Sequence, residues 1–173
     1  MDMGSHSIDL LEMFFGRTRR VSCFTENLVH PYSSEDTAVV LLDFEDGAKG
    51  IADALFNVPD ASSRNRLEIY GSRGSILAEG TIGQGEAGHL AICFEGDDQG
   101  YDAQQARTSA ANGDRWARLA PAPVNMYRAE VEAFSRSVLE GTEPPVGGRA
   151  GLWLQRVLAA AYESAATGEA VVL

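Results

Sequence analysis

The sequence predicts an α+β domain built on a mainly antiparallel sheet, and three features carry that reading. An amphipathic helix opens the chain, two glycine-turned hairpins occupy its middle, and two helical stripes close it. The clearest hairpin is apolar on both faces, the pattern of strands that are covered on both sides. Helices can cover one face, which leaves the other for a further domain or subunit. At 173 residues and 45% hydrophobic content, the chain suits one domain over residues 1–173 with its own core.

The opening helix spans residues 2–15, with Gly16 as its C-terminal cap. At about 100° per residue, Met3, Gly4, Ser7, Ile8, Leu10, Leu11, Phe14 and Phe15 share one broad side that calls for a core. Gly4 falls within that arc, where a missing side chain lets the helix sit close to a sheet. Asp2, His6, Asp9 and Met13 share the opposite side, with Asp2 and His6 one turn apart. A carboxylate and an imidazole on one face suit proton transfer, because an imidazole is the natural base near neutral pH. The plainer reading is a helix N-terminus whose polar face meets water.

Residues 18–29 read as a strand leading into a loop at His30-Pro31-Tyr32. Residues 38–45 and 48–58 then form a hairpin across Asp46-Gly47, a strong signal for a two-residue turn. That turn sets Leu42 opposite Ile51, Phe44 opposite Lys49 and Leu41 opposite Ala52. A second hairpin joins residues 67–70 to 75–78 through Gly71-Ser72-Arg73-Gly74. Residues 83–88 spell G-x-G-x-x-G, but strand-like residues 89–94 follow where a dinucleotide site needs a helix, so the match is a decoy. Residues 96–114 are polar and glycine-rich, as in an exposed loop. After a short strand at 116–119, a helix over 125–140 places Tyr127, Val131, Phe134 and Val138 in a core-like stripe. A last helix, from about 148 to 168, buries Leu152, Trp153, Val157, Ala160, Ala161 and Ser164, and residues 170–173 close the chain as a strand.

Charge and composition exclude several classes. With 14 basic against 25 acidic residues and a net charge of -11, the chain would repel a phosphate backbone, so no nucleic acid partner is expected. No apolar run is long enough for a membrane span, and a cytoplasmic protein is expected. Only Lys49 is a lysine, so any mechanism that needs one has a single candidate. Cys23 and Cys93 show no metal-ligand spacing and read as reduced structural thiols. Asp2, His6 and Asp9 make a thin ligand set for a metal-dependent hydrolase, and neither His30 nor His89 is spaced to complete it.

Several segments together resemble one family. Asp2-Met3-Gly4-Ser5-His6-Ser7-Ile8-Asp9 is similar to the D-x-G-x-H-x-x-D signature that opens the C-terminal domain of the Gfo/Idh/MocA oxidoreductases. Residues 35–38, 44–47, 67–75 and 161–171 resemble that domain in the same order. The resemblance implies a large open sheet with helices packed on one face and the other face used for subunit association. It also implies that Asp2 and His6 are catalytic, His6 taking a proton from a substrate hydroxyl and Asp2 orienting the histidine or the substrate. The implied substrate is a sugar or polyol, oxidised at a CH–OH group by NAD or NADP. The family's N-terminal Rossmann domain and its lysine are absent from these 173 residues. The chain is therefore expected to be the C-terminal domain alone, binding no cofactor by itself, forming a homo-oligomer through its sheet, and inactive as it stands. The alternative is a non-catalytic dimerisation or ligand-binding module of the same fold.

Overall fold

The computed structural model describes residues 2–94 and 115–173, so the expected loop over 96–114 lies outside the described residues. In chain order the elements are α1 (Asp2–Phe15), β1 (Thr18–Glu26), β2 (Thr37–Phe44), β3 (Lys49–Leu55), β4 (Arg66–Gly71), β5 (Gly74–Glu79), β6 (His89–Phe94), β7 (Ala117–Leu119), α2 (Met126–Glu140), α3 (Gly148–Thr167) and β8 (Val171–Val172). The class is α+β with antiparallel pairing, and the described strands divide into two four-stranded sheets. The chain forms two compact units, Met1–Ser63 with Ala133–Leu173, and Arg64–Glu132.

The first unit holds the sheet β3-β2-β1-β8. Its inner face carries Val21, Cys23, Ala38, Val40, Leu42, Phe44, Ala52 and Ala54, all buried. α1 lays Gly4, Ile8 and Leu11 on that face, and α3 adds Val157, Leu158, Ala160, Ala161 and Ser164. These are the stripes the helical spacing exposes to a core. The helices are also pinned by polar contacts: the Cys23 amide donates to Ser164 Oγ at 3.0 Å. Glu12 Oε1 accepts from Trp153 Nε1 and from the Thr18 amide, both at 2.9 Å. One carboxylate thus ties the end of α1 to α3 and to the start of β1.

The first hairpin differs from the sequence expectation by one residue. The Phe44 amide donates to the Ala48 carbonyl at 3.0 Å, which closes a three-residue loop, Glu45 to Gly47, in place of the two-residue turn. Gly47 has φ +95°, a left-handed conformation that glycine adopts without a Cβ penalty. Leu42 therefore pairs with Gly50, Leu41 with Ile51, and Asp43 with Lys49. A slip of one residue exchanges the faces. The buried side takes Gly50, Ala52 and Ala54, and the outer side is mixed, with Val39, Leu41, Ile51 and Leu55 beside Asp43, Lys49 and Asp53. Glycine at position 50 is steric: a Cβ there would lie 3.0 Å from Phe44 Cε2 and 3.3 Å from Leu11 Cδ1.

The second unit holds β4-β5-β6-β7. Its hairpin matches the expectation, with Ile69 opposite Ile76 and Gly71 opposite Gly74 across a two-residue turn. Strand alternation puts Leu67, Ile69, Ile76, Ala78, Leu90 and Ile92 on one face and Arg66, Glu68, Tyr70, Glu79 and His89 on the other. No described residue of this unit is fully buried. The G-x-G-x-x-G run leads into β6, as the decoy reading requires.

α2 corrects a second expectation. Its stripe is not core: Tyr127, Val131, Phe134 and Val138 are 56%, 64%, 60% and 67% exposed, and only Ser137 of this helix is buried. In α3, Leu152 is also exposed, and the rest of the expected stripe lies inside or half inside. Periodicity identifies the apolar side of a helix; it does not say what covers it.

Candidate active site

α1 turns Ile8, Leu11 and Gly4 inward, and this fixes Asp2, His6 and Asp9 on the exposed side. Asp2 and His6 are thus both presented outward, one turn or about 6 Å apart along the axis. Among the described residues no hydrogen bond joins them. Asp2 reaches a pocket of about 290 Å³ whose other walls are Tyr32, Ser34, Glu35, Asp36, Ala38, Ala54, Phe56 and Tyr162. His6 is not among the lining residues.

The pocket wall is a loop that polar contacts hold in shape. Asp36, itself buried, accepts backbone N–H bonds from Leu28 (3.0 Å), Val29 (2.8 Å) and His30 (3.0 Å), and a hydroxyl bond from Thr37 (3.1 Å). Burial acts to raise its pKa, but these four donors outweigh that and bring it down to about 2. Asn27 Nδ2 donates to the carbonyls of Tyr32 (2.7 Å) and Ser34 (2.6 Å). His30, the loop histidine, stacks on Tyr32 at 5.2 Å and places Nε2 3.0 Å from the Phe56 carbonyl. It braces the wall from within.

On the opposite side, the Tyr162 hydroxyl donates to Glu35 Oε1 at 2.7 Å. Burial and that bond push Tyr162 up to about 12, which keeps it a donor at neutral pH. Burial works to raise Glu35, and hydrogen bonds from the chain's α-amino group and from Tyr162 hold it below the ordinary value. Glu35 is therefore a fixed, ionised carboxylate.

Sequence reasoning singled out Asp2 and His6 but missed Tyr32, Glu35 and Tyr162 as pocket residues. The segments 35–38 and 161–171 carry the family resemblance, yet nothing local joins a tyrosine to a glutamate 127 positions away.

The remaining candidates have other roles. Lys49 Nζ lies 2.8 Å from Asp43 Oδ1, and Arg19 and Arg20 share that carboxylate. Hydrogen bonds from Lys49 and Arg19 pull Asp43 down to about 2. Cys23 and Cys93 are free thiols, and burial pushes Cys23 up to about 11, where it is unreactive. Among the described residues no three His, Cys, Asp or Glu side chains are placed to hold a metal ion, so Asp2, His6 and Asp9 do not form such a group. A larger hollow, about 480 Å³, lies on the polar face of the second sheet, where Arg66 and Glu79 are paired at 2.9 Å. It contains none of the candidate residues. No described helix is long and apolar enough to cross a membrane.

The chain has relatives among known proteins. A profile described as the oxidoreductase family's C-terminal alpha/beta domain matches residues 1–173. The chain is 26% identical to a D-apiose dehydrogenase of Paraburkholderia graminis, over 99% of this chain and 44% of that protein. It is 27% identical to a D-xylose 1-dehydrogenase (NADP(+)) of Haloferax volcanii, over 100% and 47% respectively. Among solved structures, an aldose-aldose oxidoreductase from Caulobacter crescentus, complexed with glycerol, superposes with a TM-score of 0.77 at 21% identity, covering 98% of this chain and 46% of the other. At that identity the likeness is one of fold. The chain spans under half the length of each of these proteins.

Proposed function

Because the chain belongs to the Gfo/Idh/MocA oxidoreductase family, matching its C-terminal alpha/beta domain from end to end, we propose that it is the substrate-binding domain of an NAD(P)-dependent dehydrogenase acting on a sugar or polyol. The observation that supports this best is Asp2, the first residue of the family-like signature, set in the wall of a pocket beside an outward-facing His6. The names of the two relatives point to an aldose as the substrate.

The chain's own share of the chemistry is the proton. His6 accepts the proton of the substrate hydroxyl at the carbon being oxidised and returns it in the reverse direction. Asp2, one turn earlier, orients the imidazole or the substrate. In the whole enzyme NAD or NADP accepts the hydride. The run at 83–88 is no dinucleotide cradle, because it opens a strand and not a helix whose N-terminus could hold a pyrophosphate. Cofactor binding is accordingly assigned to the portion of the relatives that this chain does not span.

The test is kinetic. A protein in which this chain follows its cofactor domain should reduce NAD or NADP with D-xylose or a related aldose. His6→Ala in that protein should lower kcat by about 10²- to 10⁴-fold with little change in KM. Wild-type kcat in the His6→Ala protein would remove His6 from the mechanism. NADH titrated against the 173-residue chain alone should give no saturable binding, and micromolar affinity would overturn the division of roles.

A further inference from the structure

Resting on the expected association through the sheet, we propose that the outer face of the first sheet docks a second copy of this chain with the strands stacked in opposite directions, Lys49 of each copy over Asp53 of the other. α1 and α3 take the inner face, and the outer one is laid out in rows by the strand register. At one end Arg19, Arg20 and Lys49 surround Asp43. The β1–β2 register shifts between Thr18 and Arg20, so neighbouring arginines both reach that one carboxylate. The next row pairs Leu41 with Ile51, and the row beyond it sets Phe24 on β1 and Asp53 on β3. Asp53 is exposed and has no ion-pair partner among the described residues.

This pattern distinguishes the two ways in which a sheet can face its own copy. A two-fold axis along the strands lays each row on itself, so the three cations of one copy meet the three of the other, and like charges across an interface are strongly disfavoured. An axis across the strands, through Leu41 and Ile51, reverses the order of the rows. Ile51 then meets Ile51 and Leu41 meets Leu41, 71% and 43% exposed in the single chain. Lys49 and Asp53 lie two residues to either side of Ile51, so each Lys49 falls over the other copy's Asp53. Facing sheets stack about 10 Å apart, a gap that a lysine and an aspartate close together. On β1, Ser22 is level with Leu41, and Arg20 falls over the ring of the other copy's Phe24, itself 70% exposed. Asp43 meets Val39 of the other copy, its own charge already answered by three cations.

The face is small. Four strands of about seven residues measure roughly 450 Å², below the roughly 800 Å² per partner of a standard interface. The dimer is accordingly weak, and the charge register decides whether it forms.

The experiment is sedimentation equilibrium of the 173-residue chain at high concentration in about 0.15 M salt. The wild-type chain should self-associate. Asp53→Lys should weaken association at least about tenfold, because two like-charge contacts replace two ion pairs. Its sign is diagnostic: the same substitution moves the net charge of -11 toward zero, which by itself favours association. Glu163→Lys, the same charge change on the exposed side of α3, should leave association unchanged or strengthen it. Lys49→Glu should weaken association as Asp53→Lys does, and the double variant should recover to within about threefold of wild type. A dispersed amide spectrum checks the fold, and where Lys49→Glu disturbs the Asp43 cluster, Asp53→Lys against Glu163→Lys decides alone.

Asp53→Lys associating as well as wild type overturns the docking arrangement, and so does a folded double variant as weak as either single one. Equal weakening by Glu163→Lys would also overturn it. In those cases association through the sheet itself stands, whereas a monomeric wild-type chain removes both. The catalytic role of His6 is independent of all these outcomes.

Discussion

Asp36 organises more of the candidate pocket than any residue the spacing of the sequence singles out, because one buried carboxylate satisfies three loop amides that would otherwise lack partners. Its folded pKa of about 2 lies below the ordinary 3.8. The stabilisation it brings is thus fully present above the ordinary value and is lost as pH falls through about 2. Asp43 behaves alike, with its folded pKa also about 2. Urea melts between neutral pH and pH 2 should show stability falling across the acid range, and Asp36→Asn should flatten that fall while lowering stability at neutral pH. An unchanged acid slope in the variant would mean the loop does not depend on the ionised form. Thr18 supplies an opposite case: its hydroxyl is buried with no hydrogen-bond partner among the described residues. Thr18→Val keeps the shape and removes the unpaired group, so it should raise stability by about 1 kcal/mol in the same melts. Asp2 and His6 were legible as a pair because helix geometry makes positions four apart neighbours. Glu35 and Tyr162 were not, because only the packing of α3 on β1 brings them together.

Among the elements, those whose boundaries are set by local chemistry were legible. Gly16, Gly141 and Gly168 end their helices with φ of +77°, +65° and +76°, as the glycine caps in the sequence suggest. The second hairpin kept its expected register, and the first did not. Asp-Gly is compatible with a two-residue turn and with a three-residue loop ending in left-handed glycine, and the choice moves every side chain of β3 to the other face. Gly50 tests the observed register: Gly50→Ala pushes a methyl against Phe44 and Leu11 and should cost about 1–3 kcal/mol. In the expected register position 50 would face the other side, and the substitution would be nearly neutral. The two kinds of apolar stripe can be separated in the same way. Ile8→Ala, in the buried stripe of α1, should cost about 2–5 kcal/mol. Phe134→Ala, in the exposed stripe of α2, should change the stability of the chain by less than about 0.5 kcal/mol. Equal losses would place α2 in the core after all.

For the whole molecule, the expectation of association through the sheet faces rests now on the mixed outer side of the first sheet, where Phe24, Leu41, Ile51 and Leu55 are exposed, and on the apolar face of the second. With a net charge of -11, copies repel at low ionic strength, so self-association in sedimentation equilibrium should strengthen as salt is added. A monomer at high concentration in both low and high salt would count against sheet-mediated assembly. What the sequence by itself determined was the α+β class, the order of its elements, the inward sides of α1 and α3, and the acid and imidazole on one face of the first helix. Those follow from short-range periodicity and from caps and turns that span a few residues. The tertiary structure decided the hairpin register, the division of the strands into two sheets, the uncovered stripe of α2 and the pocket that Asp2 shares with Glu35 and Tyr162. Each of these depends on competition among contacts between residues far apart in the chain, and no local pattern records which contact wins.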